Sequence, residues 1–347
     1  MSTGNNVINY EILKDSPRLL MEAKLTPLQG HRFQPTGFAD LGPARYTLPD
    51  GTEMLLVESV QSVANRMELA CWDGAADDLI DGLRGLPYIC VKRRADGSVL
   101  TNSLLEAHRI NSEYIRDFHP TFTKEIGYKK DGRVDWKKFH TSILKYDPNS
   151  LIHGCFLEEI SGRLRATRVL SGFIDASGVA VAESGGVKNN IVQPELKSGE
   201  GNVPFHRTEF IAEEIKAYFN LDLALLQGYG LPDDAQKLLI ALSLFKIRRF
   251  LSTGLRLRTA CDLELDGDLV VTRPEGFVLP AEKDLLSECT RLIALCKPRF
   301  ADPPITEIEW RAGKKKAGKG QRSEEGDETA NENVSDNATG DEEGDDE

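Results

Sequence analysis

The chain has 347 residues, of which 40% are hydrophobic, and it carries a formal net charge of −12. That apolar fraction is enough for the core of one large domain or two smaller ones, and it excludes a chain that is unfolded throughout. The acidic excess lies at one end, because residues 324–347 contain twelve Asp and Glu and no Lys or Arg. The remainder holds equal numbers of acidic and basic residues, so one of its faces can be basic enough to attract phosphates.

Hydropathy and cysteine usage exclude several classes of protein. No apolar run approaches the roughly 20 residues that a membrane-spanning helix needs, so we expect a cytoplasmic protein. The six cysteines include no CxxC pair and no histidine at ligand spacing, which predicts reduced core thiols rather than disulfides or a zinc site. We therefore expect neither a metal nor another cofactor.

The first third of the chain mixes predicted strands with one helix. Residues 18–25, RLLMEAKL, favour an early strand, and residues 86–93, LPYICVKR, a buried one. Residues 57–72, VESVQSVANRMELACW, place apolar side chains at helical spacing. Between them lies LTPLQGHRFQPTGF, residues 25–38, which sets amides and one arginine among two glycines and two phenylalanines. This segment is too polar for a core and too aromatic for a plain loop.

Residues 111–150 have the composition of an insertion, because seven Phe, Tyr and Trp alternate with eight Lys and Arg. The aromatic side chains predict either a small local core or a surface on which bases stack. The run YKKDGRVDWKKF, residues 128–139, predicts a hairpin around Asp131 and Gly132 that projects toward a partner.

The second half continues the mixture of helices and strands, which predicts an α+β fold without a regular βαβ rhythm. Residues 165–182 favour a strand, a turn and a second strand, and two helices are expected near 208–227 and 234–252. Alternating apolar residues around Asp266 and Gly267 predict a hairpin, and a last helix is expected at about 281–296.

The chemistry suggested by the sequence is that of phosphate binding. The signatures GxxxxGK[ST], HExxH, GxSxG and GxGxxG are absent, and dispersed histidines such as His153 and His206 are expected to be structural. Instead, Arg or Lys recurs beside amides, hydroxyls and glycines in QGHRF, SVQSVANRM, TNSLLEAHRINS, RLRATR, ESGGVKNN and FKIRRFLSTGLRLR. These groups bind phosphate and sugar oxygens.

Four long motifs in order carry a family resemblance: GHRFQPTGFADLGPARY, LLVESVQSVANRMELACWD, TNSLLEAHRINSEYI and LFKIRRFLSTGLRLRTACDLEL. They resemble the backbone subunit of type I CRISPR interference (Cascade) complexes of the subtype formerly lettered U and now G. That subunit is a member of the Cas-seven group of the RAMP superfamily. The resemblance extends over roughly residues 17–300 and does not include the tail.

The resemblance implies an RRM-like, ferredoxin-type palm with inserted finger and thumb elements. We expect a RAMP-type RNA-binding domain over residues 1–311, with an inserted subdomain at about 111–150. Residues 312–347 lack the apolar area to fold alone, which predicts a disordered tail that is first basic and then acidic.

The function implied is a non-catalytic backbone subunit in antiviral defence. It would polymerise head to tail along the guide RNA and present the spacer for pairing with a target DNA strand, beside other Cascade subunits. Such a subunit has to grip phosphate, sugar and stacked bases while it leaves the Watson–Crick edges free. Type III relatives carry a catalytic Asp in an inserted element, and no such Asp can be identified in this chain.

Twelve residues are the candidates for RNA contact, and Arg32, Asn65, Arg66, His108, Arg109 and Asn111 among them lie within the motifs that carry the resemblance. Arg32 is expected to meet phosphate, Gln29 and Gln34 to meet sugar or base, and Phe33 to anchor the segment. The full set is Gln29, Arg32, Gln34, Asn65, Arg66, His108, Arg109, Asn111, Arg168, Lys188, Arg249 and Arg256.

Two other functions stay open at this point. One is a metal-dependent ribonuclease of the same superfamily, because acidic residues are plentiful. The other is a free-standing protein that binds single-stranded nucleic acid without any guide.

Overall fold

The computed structural model describes residues 7–38, 42–188 and 203–310. The strands are β1 (Arg18–Pro27), β2 (Gly37–Phe38), β3 (Gly42–Pro43), β4 (Arg45–Thr47), β5 (Glu53–Glu58), β6 (Trp72–Asp73), β7 (Asp78–Leu79), β8 (Tyr88–Arg93), β9 (Val99–Asn102), β10 (Cys155–Phe156), β11 (Arg165–Ala166), β12 (Leu170–Ser177), β13 (Ala180–Lys188), β14 (Val203–Ile211), β15 (Glu214–Asp222), β16 (Arg256–Arg258), β17 (Cys261–Leu265), β18 (Val270–Arg273) and β19 (Ile305–Trp310). The helices are α1 (Tyr10–Lys14), α2 (Val60–Leu69), α3 (His119–Ile126), α4 (Trp136–Tyr146), α5 (Pro148–His153), α6 (Leu223–Gly228), α7 (Asp233–Thr253) and α8 (Glu282–Cys296), with 3₁₀ turns at Arg109–Asn111, Glu113–Phe118 and Lys297–Arg299.

The largest sheet is antiparallel, with the strand order β16-β17-β1-β15-β12-β5-β4. In β1, every second side chain from Leu19 to Leu25 is buried, as the two-residue period of a strand requires. Leu19 is aligned with Leu221 of β15, so the apolar residues of both strands share one face. The strand predicted at 18–25 is confirmed.

Helices cover this apolar face of the sheet. Phe219 of β15 places its ring 6.3 Å from that of Phe250 in α7, and α7 in turn packs against α2 and α8. The opposite face carries Phe173 and Tyr218, whose half-buried rings stack at 5.1 Å. The helices predicted within 57–72, at 234–252 and at 281–296 are confirmed as α2, α7 and α8.

A smaller sheet has the order β19-β8-β9, and β8 runs parallel to β19. Residues 88–91 of β8 are buried, which confirms the buried strand predicted at 86–93. Strands and helices are mixed along the whole described chain, so the fold is α+β, as predicted.

The helix predicted near 208–227 is wrong. Most of this range forms β14 and β15, and only Leu223–Gly228 is helical, as α6. The apolar residues of β15 recur at every second position. A short apolar pattern does not by itself distinguish a strand from a helix. Pairing with β1 on one side and β12 on the other makes this segment a strand.

The hairpin predicted around Asp266 and Gly267 is also wrong. β17 pairs with residues 25–27 of β1, and β18 pairs with residues 20–22 of the same strand. The Asp266 N–H donates to the Lys24 carbonyl at 2.9 Å, which continues the ladder between the two. The turn residues thus move the chain along one edge of β1 instead of reversing it against itself.

The insertion at 111–150 is helical, which corrects the hairpin predicted at 128–139. Gly127 ends α3 with a left-handed conformation at φ +64°, and the Asp135 side chain accepts from the Lys138 N–H at 3.0 Å to start α4. These two helix signals outweigh the Asp-Gly turn signal between them. Phe122 and Phe139 are buried against each other, so local packing accounts for these aromatic side chains.

The described residues divide into two units. The first comprises residues 7–38, 42–182 and 209–310, and the second contains the outer part of the β13–β14 pair. The predicted tail at 312–347 lies outside the described residues. Within the described ranges, no helix has the length and apolarity that crossing a bilayer requires.

Candidate nucleic-acid interface

The segment that follows β1 is anchored by Phe33. This side chain is 1% exposed, and its backbone exchanges two 2.9 Å hydrogen bonds with that of Phe210, which confirms its predicted role as an anchor. The neighbouring Arg32 side chain is 56% exposed and lies 3.3 Å from the Glu209 carboxylate. Gln29 is also exposed. The buried ring therefore fixes a short backbone from which polar side chains reach the surface.

Gln34 connects this segment to β16. Its N–H donates to the Ala260 carbonyl at 2.8 Å, and its own carbonyl accepts from the Arg258 guanidinium at 2.8 Å. Arg258 also pairs with Glu58, a carboxylate that is 1% exposed at the end of β5. Because a buried carboxylate needs cationic partners, Glu58 holds β16 in place beside the residues that precede α2.

Arg66, on α2, reaches the same carboxylate from the other side. Its Nε lies 3.8 Å from Glu58, and its terminal nitrogens donate to the backbone carbonyls of Arg256, at 3.5 Å, and Leu257. Arg66 is thus fixed by the protein itself. The Arg256 side chain, in contrast, is exposed.

Side chains of α2 also form a chain of hydrogen bonds that ends at Arg168. The Asn65 amide oxygen accepts from Gln61 at 3.0 Å, and the Gln61 oxygen accepts from Arg168 at 2.7 Å. Arg168 also donates to the carbonyls of Val60, at 3.0 Å, and His153, at 3.1 Å. Gln61 was missed from the sequence, although its four-residue spacing from Asn65 on one helix face was a usable signal.

Arg109 is placed in the interior rather than at the surface. The side chain is 4% exposed, and its guanidinium binds the buried Glu68 of α2 through two contacts of 2.6 and 2.7 Å. A third bond reaches the Gly154 carbonyl at 3.2 Å, and Asn149 also donates to Glu68. Arg109 has a φ of +53°, in a region that non-glycine residues seldom adopt. Through its bonds to Glu68 and to the Gly154 carbonyl, Arg109 fixes the position of α2 from the buried side of the helix.

The same buried network continues into α7. The Lys246 ammonium, 1% exposed, contacts the Asn149 oxygen and lies 2.9 Å from His153 Nε2. Burial lowers the pKa of Lys246, and burial together with this neighbouring ammonium lowers the pKa of His153. His153 is therefore a structural residue, as predicted, while His206 is exposed.

Four further candidates do not belong to the group of side chains around α2. His108 is exposed, and the Oδ1 atom of Asn111 is buried without a hydrogen-bond partner among the described residues. Arg249 pairs with Glu282 of α8 at 3.0 Å. Lys188 ends β13, and its side chain lies outside the described part of the chain. The candidates that the fold gathers around α2 are Gln34, Asn65, Arg66, Arg168 and Arg256.

These residues present guanidinium and amide groups on a fixed framework. Such groups bind phosphate and sugar oxygens. Within the described parts of the chain, no group of three or more His, Cys, Asp or Glu could hold a metal ion. All six cysteines are buried and unpaired, which confirms the prediction of core thiols.

Comparison with known proteins identifies the first half of the chain. Residues 19–181 match the family model described as CRISPR-associated protein GSU0053 (Cas_GSU0053). The CRISPR-associated family recognised from the motifs is confirmed. The matched segment is a little under half of the chain and contains the Phe33 segment, α2 and the helical insertion. The search of curated proteins found no match.

Three solved chains resemble the structure at low sequence identity. A chain described as "CRISPR RNA-guided surveillance complex, pre-nicking" is 15% identical with a TM-score of 0.41, covering 72% of this chain and 74% of its own. One from a "CRISPR RNA-guided surveillance complex" is 15% identical with a TM-score of 0.33, covering 72% and 66%. Csc2 of Thermofilum pendens is 12% identical with a TM-score of 0.29, covering 86% and 80%. TM-scores this low do not establish a shared fold.

Proposed function

We propose that this CRISPR-associated protein is a non-catalytic subunit that binds guide RNA in a type I surveillance complex. The observation that carries the proposal is the set of donors around α2, in which Arg66 and Arg168 are held by bonds to backbone carbonyls. Donors that are fixed before binding lose little conformational entropy when a phosphate arrives.

The binding mode follows from the type of donor. Guanidinium groups contact phosphates, and Asn65 and Gln34 contact sugar or backbone atoms, none of which differ between spacers. The guide is then gripped independently of its sequence, and its base edges stay available for a target DNA strand.

The fold supports the same function. The antiparallel sheet with helices on one face serves as the RRM-like palm, while the insertion at 111–150 and the β13–β14 pair serve as its added elements. Copies would assemble head to tail along the guide beside the other subunits of the complex. Arg109 acts as a positioning residue beneath α2.

The test is to purify the protein from a host that also expresses the other subunits and a CRISPR array, and to sequence the RNA that copurifies. Repeat-spacer transcripts are expected. Bulk cellular RNA in proportion to its abundance would instead indicate a free-standing single-strand binding protein.

The ribonuclease alternative has its own test. Incubation of the purified protein with end-labelled RNA and Mg²⁺ is expected to leave the RNA intact. Products that appear with Mg²⁺ and disappear with EDTA would contradict the non-catalytic assignment.

A further inference from the structure

The turn between α3 and α4 carries a group of cations that the proposed guide site does not use. All six members are exposed, and none has a side-chain hydrogen bond or ion pair among the described residues. We call this group the insertion patch; it consists of Lys124, Lys129, Lys130, Arg133, Lys137 and Lys138.

The acids within the same stretch neutralise only part of the charge of the patch. Residues 124–138 contain six basic and three acidic residues. Glu125 is occupied by Lys145 at 2.9 Å and by the Tyr146 hydroxyl, and Asp135 caps α4. A local excess of positive charge in a protein whose net charge is −12 therefore faces solvent.

Two of these lysines lie where a helix disfavours them. Lys137 and Lys138 occupy the first turn of α4, at the positive end of the helix dipole. The first turn contains no acidic residue. The dipole of α4 therefore gives no reason for a lysine at either position.

An exposed aromatic ring begins the same helix. Trp136 is 45% exposed, stacks on His140 at 6.3 Å and meets the edge of Phe139 at 5.6 Å. His140 stacks in turn on Tyr229 at 4.1 Å. Burial lowers the pKa of His140 to about 4, so this support for the tryptophan is uncharged at neutral pH. A ring held in this way loses little freedom when a planar partner stacks on it.

A shallow concavity of about 710 Å³ adjoins the patch. Its lining includes Lys124, Tyr128 and Lys129, together with Arg116 and its ion-pair partner Glu159 at 2.8 Å. The Lys138 ammonium lies 3.7 Å from the position that a Cβ on Gly127, another lining residue, would occupy. The concavity thus has cations along its borders, an arrangement that suits a phosphate backbone running through it.

We propose that the insertion patch binds single-stranded nucleic acid other than the guide, with a base stacked on Trp136 and phosphates held by the surrounding lysines. Lysines interleaved with an accessible aromatic ring are the combination that unpaired strands require. A duplex would satisfy the cations but would keep its base faces stacked internally. An acidic protein partner would satisfy the cations but would not account for the exposed tryptophan.

The test uses intrinsic fluorescence, because the chain has only three tryptophans. The purified full chain, free and guide-loaded, is titrated with a 20-nucleotide oligo-dT and with oligo-rU, neither complementary to the guide. We expect quenching in both forms of the protein, and its loss in Trp136→Phe. Comparable quenching by dT and rU would assign the site to single strands in general, and stronger quenching by dT to DNA.

Charge variants provide the matched comparison. Lys137→Ala with Lys138→Ala is expected to weaken oligo-dT binding about five-fold or more and to flatten the salt dependence by roughly 0.7 for each phosphate that is no longer bound. The control, Lys283→Ala with Lys297→Ala, removes two exposed lysines from α8 and the turn after it and should leave binding unchanged.

Three outcomes would overturn the proposal. They are unchanged quenching in Trp136→Phe, complete quenching by the guide alone, and quenching by poly-glutamate but not by oligonucleotides. Because the free chain is titrated as well, failure of the guide-binding function would not by itself remove the expected oligo-dT signal.

Discussion

The cations around α2 and those of the insertion patch are held in different ways. Arg66 and Arg109 are bound by the buried carboxylates Glu58 and Glu68 and by backbone carbonyls. The six cations of the patch have no acidic partner among the described residues. The first arrangement fixes the position of a guanidinium before any ligand binds, and the second leaves the charge without a partner inside the protein. The difference between the two groups therefore lies in how the cations are held, and it is visible only in their partners.

The largest effect is expected from breaking the buried pair. Arg109→Met leaves the Glu68 carboxylate in the interior without its main partner, which should lower the free energy of unfolding by about 3–5 kcal/mol. Urea unfolding of the full chain measures this loss. Arg133→Met, in the patch, is the control and should stay within about 0.5 kcal/mol of the unmodified protein. Equal stability of both variants would show that the two groups of cations do not differ in this way.

A smaller effect is expected at the edge of the α2 site. Arg66→Ala removes the donors to the carbonyls of residues 256 and 257 and should cost about 1–3 kcal/mol of stability, together with RNA affinity. Arg256→Ala should reduce RNA affinity while the urea midpoint stays unchanged, because its side chain is exposed. Equal urea midpoints for Arg256→Ala and Arg66→Ala would contradict the distinction between a guanidinium that is bound within the protein and one that is exposed.

The support beneath Trp136 predicts a pH dependence. The unfolded chain binds a proton at His140 with a pKa near 6.5, whereas the folded chain binds it only near 4. Stability contributed by neutral His140 is therefore complete above pH 6.5 and is lost as the pH falls toward 4. NMR titration of the imidazole should give this low value, and His140→Phe should make stability less dependent on pH in that window. An imidazole titrating near 6.5 would refute the prediction.

The smallest effect is expected from the tail. A chain that ends at Ala312 should unfold at the same urea concentration and retain most of its RNA affinity, because the missing residues offer one large apolar side chain, Val334. Circular dichroism and RNA binding of the truncated protein provide the check. Loss of soluble protein would show that the tail contributes to the core.

Sequence reasoning located α2 because Val63, Met67 and Cys71 recur at helical spacing, and all three are buried. The sequence did not show that Arg109 is buried while other candidates are exposed. Its partner Glu68 lies 41 residues away in the chain, and the packing of α2 decides that Glu68 points inward.

The strand pairings show the same limit. The Asp-Gly turns at 131–132 and 266–267 carry a strong local hairpin signal, yet the first connects two helices and the second moves along β1. Partners distant in the chain overrode local preference in the second case, and helix caps did so in the first.

The central claim is that the residues around α2 hold RNA through its backbone. The most direct measurement is the salt dependence of binding for two guide-length RNAs of unrelated sequence, with the unmodified protein and with Arg256→Ala. We predict an equal loss of affinity for both RNAs and a log–log slope that flattens by roughly 0.7 for each phosphate that the variant no longer binds. A loss confined to one sequence, or a slope that does not change, would contradict the claim.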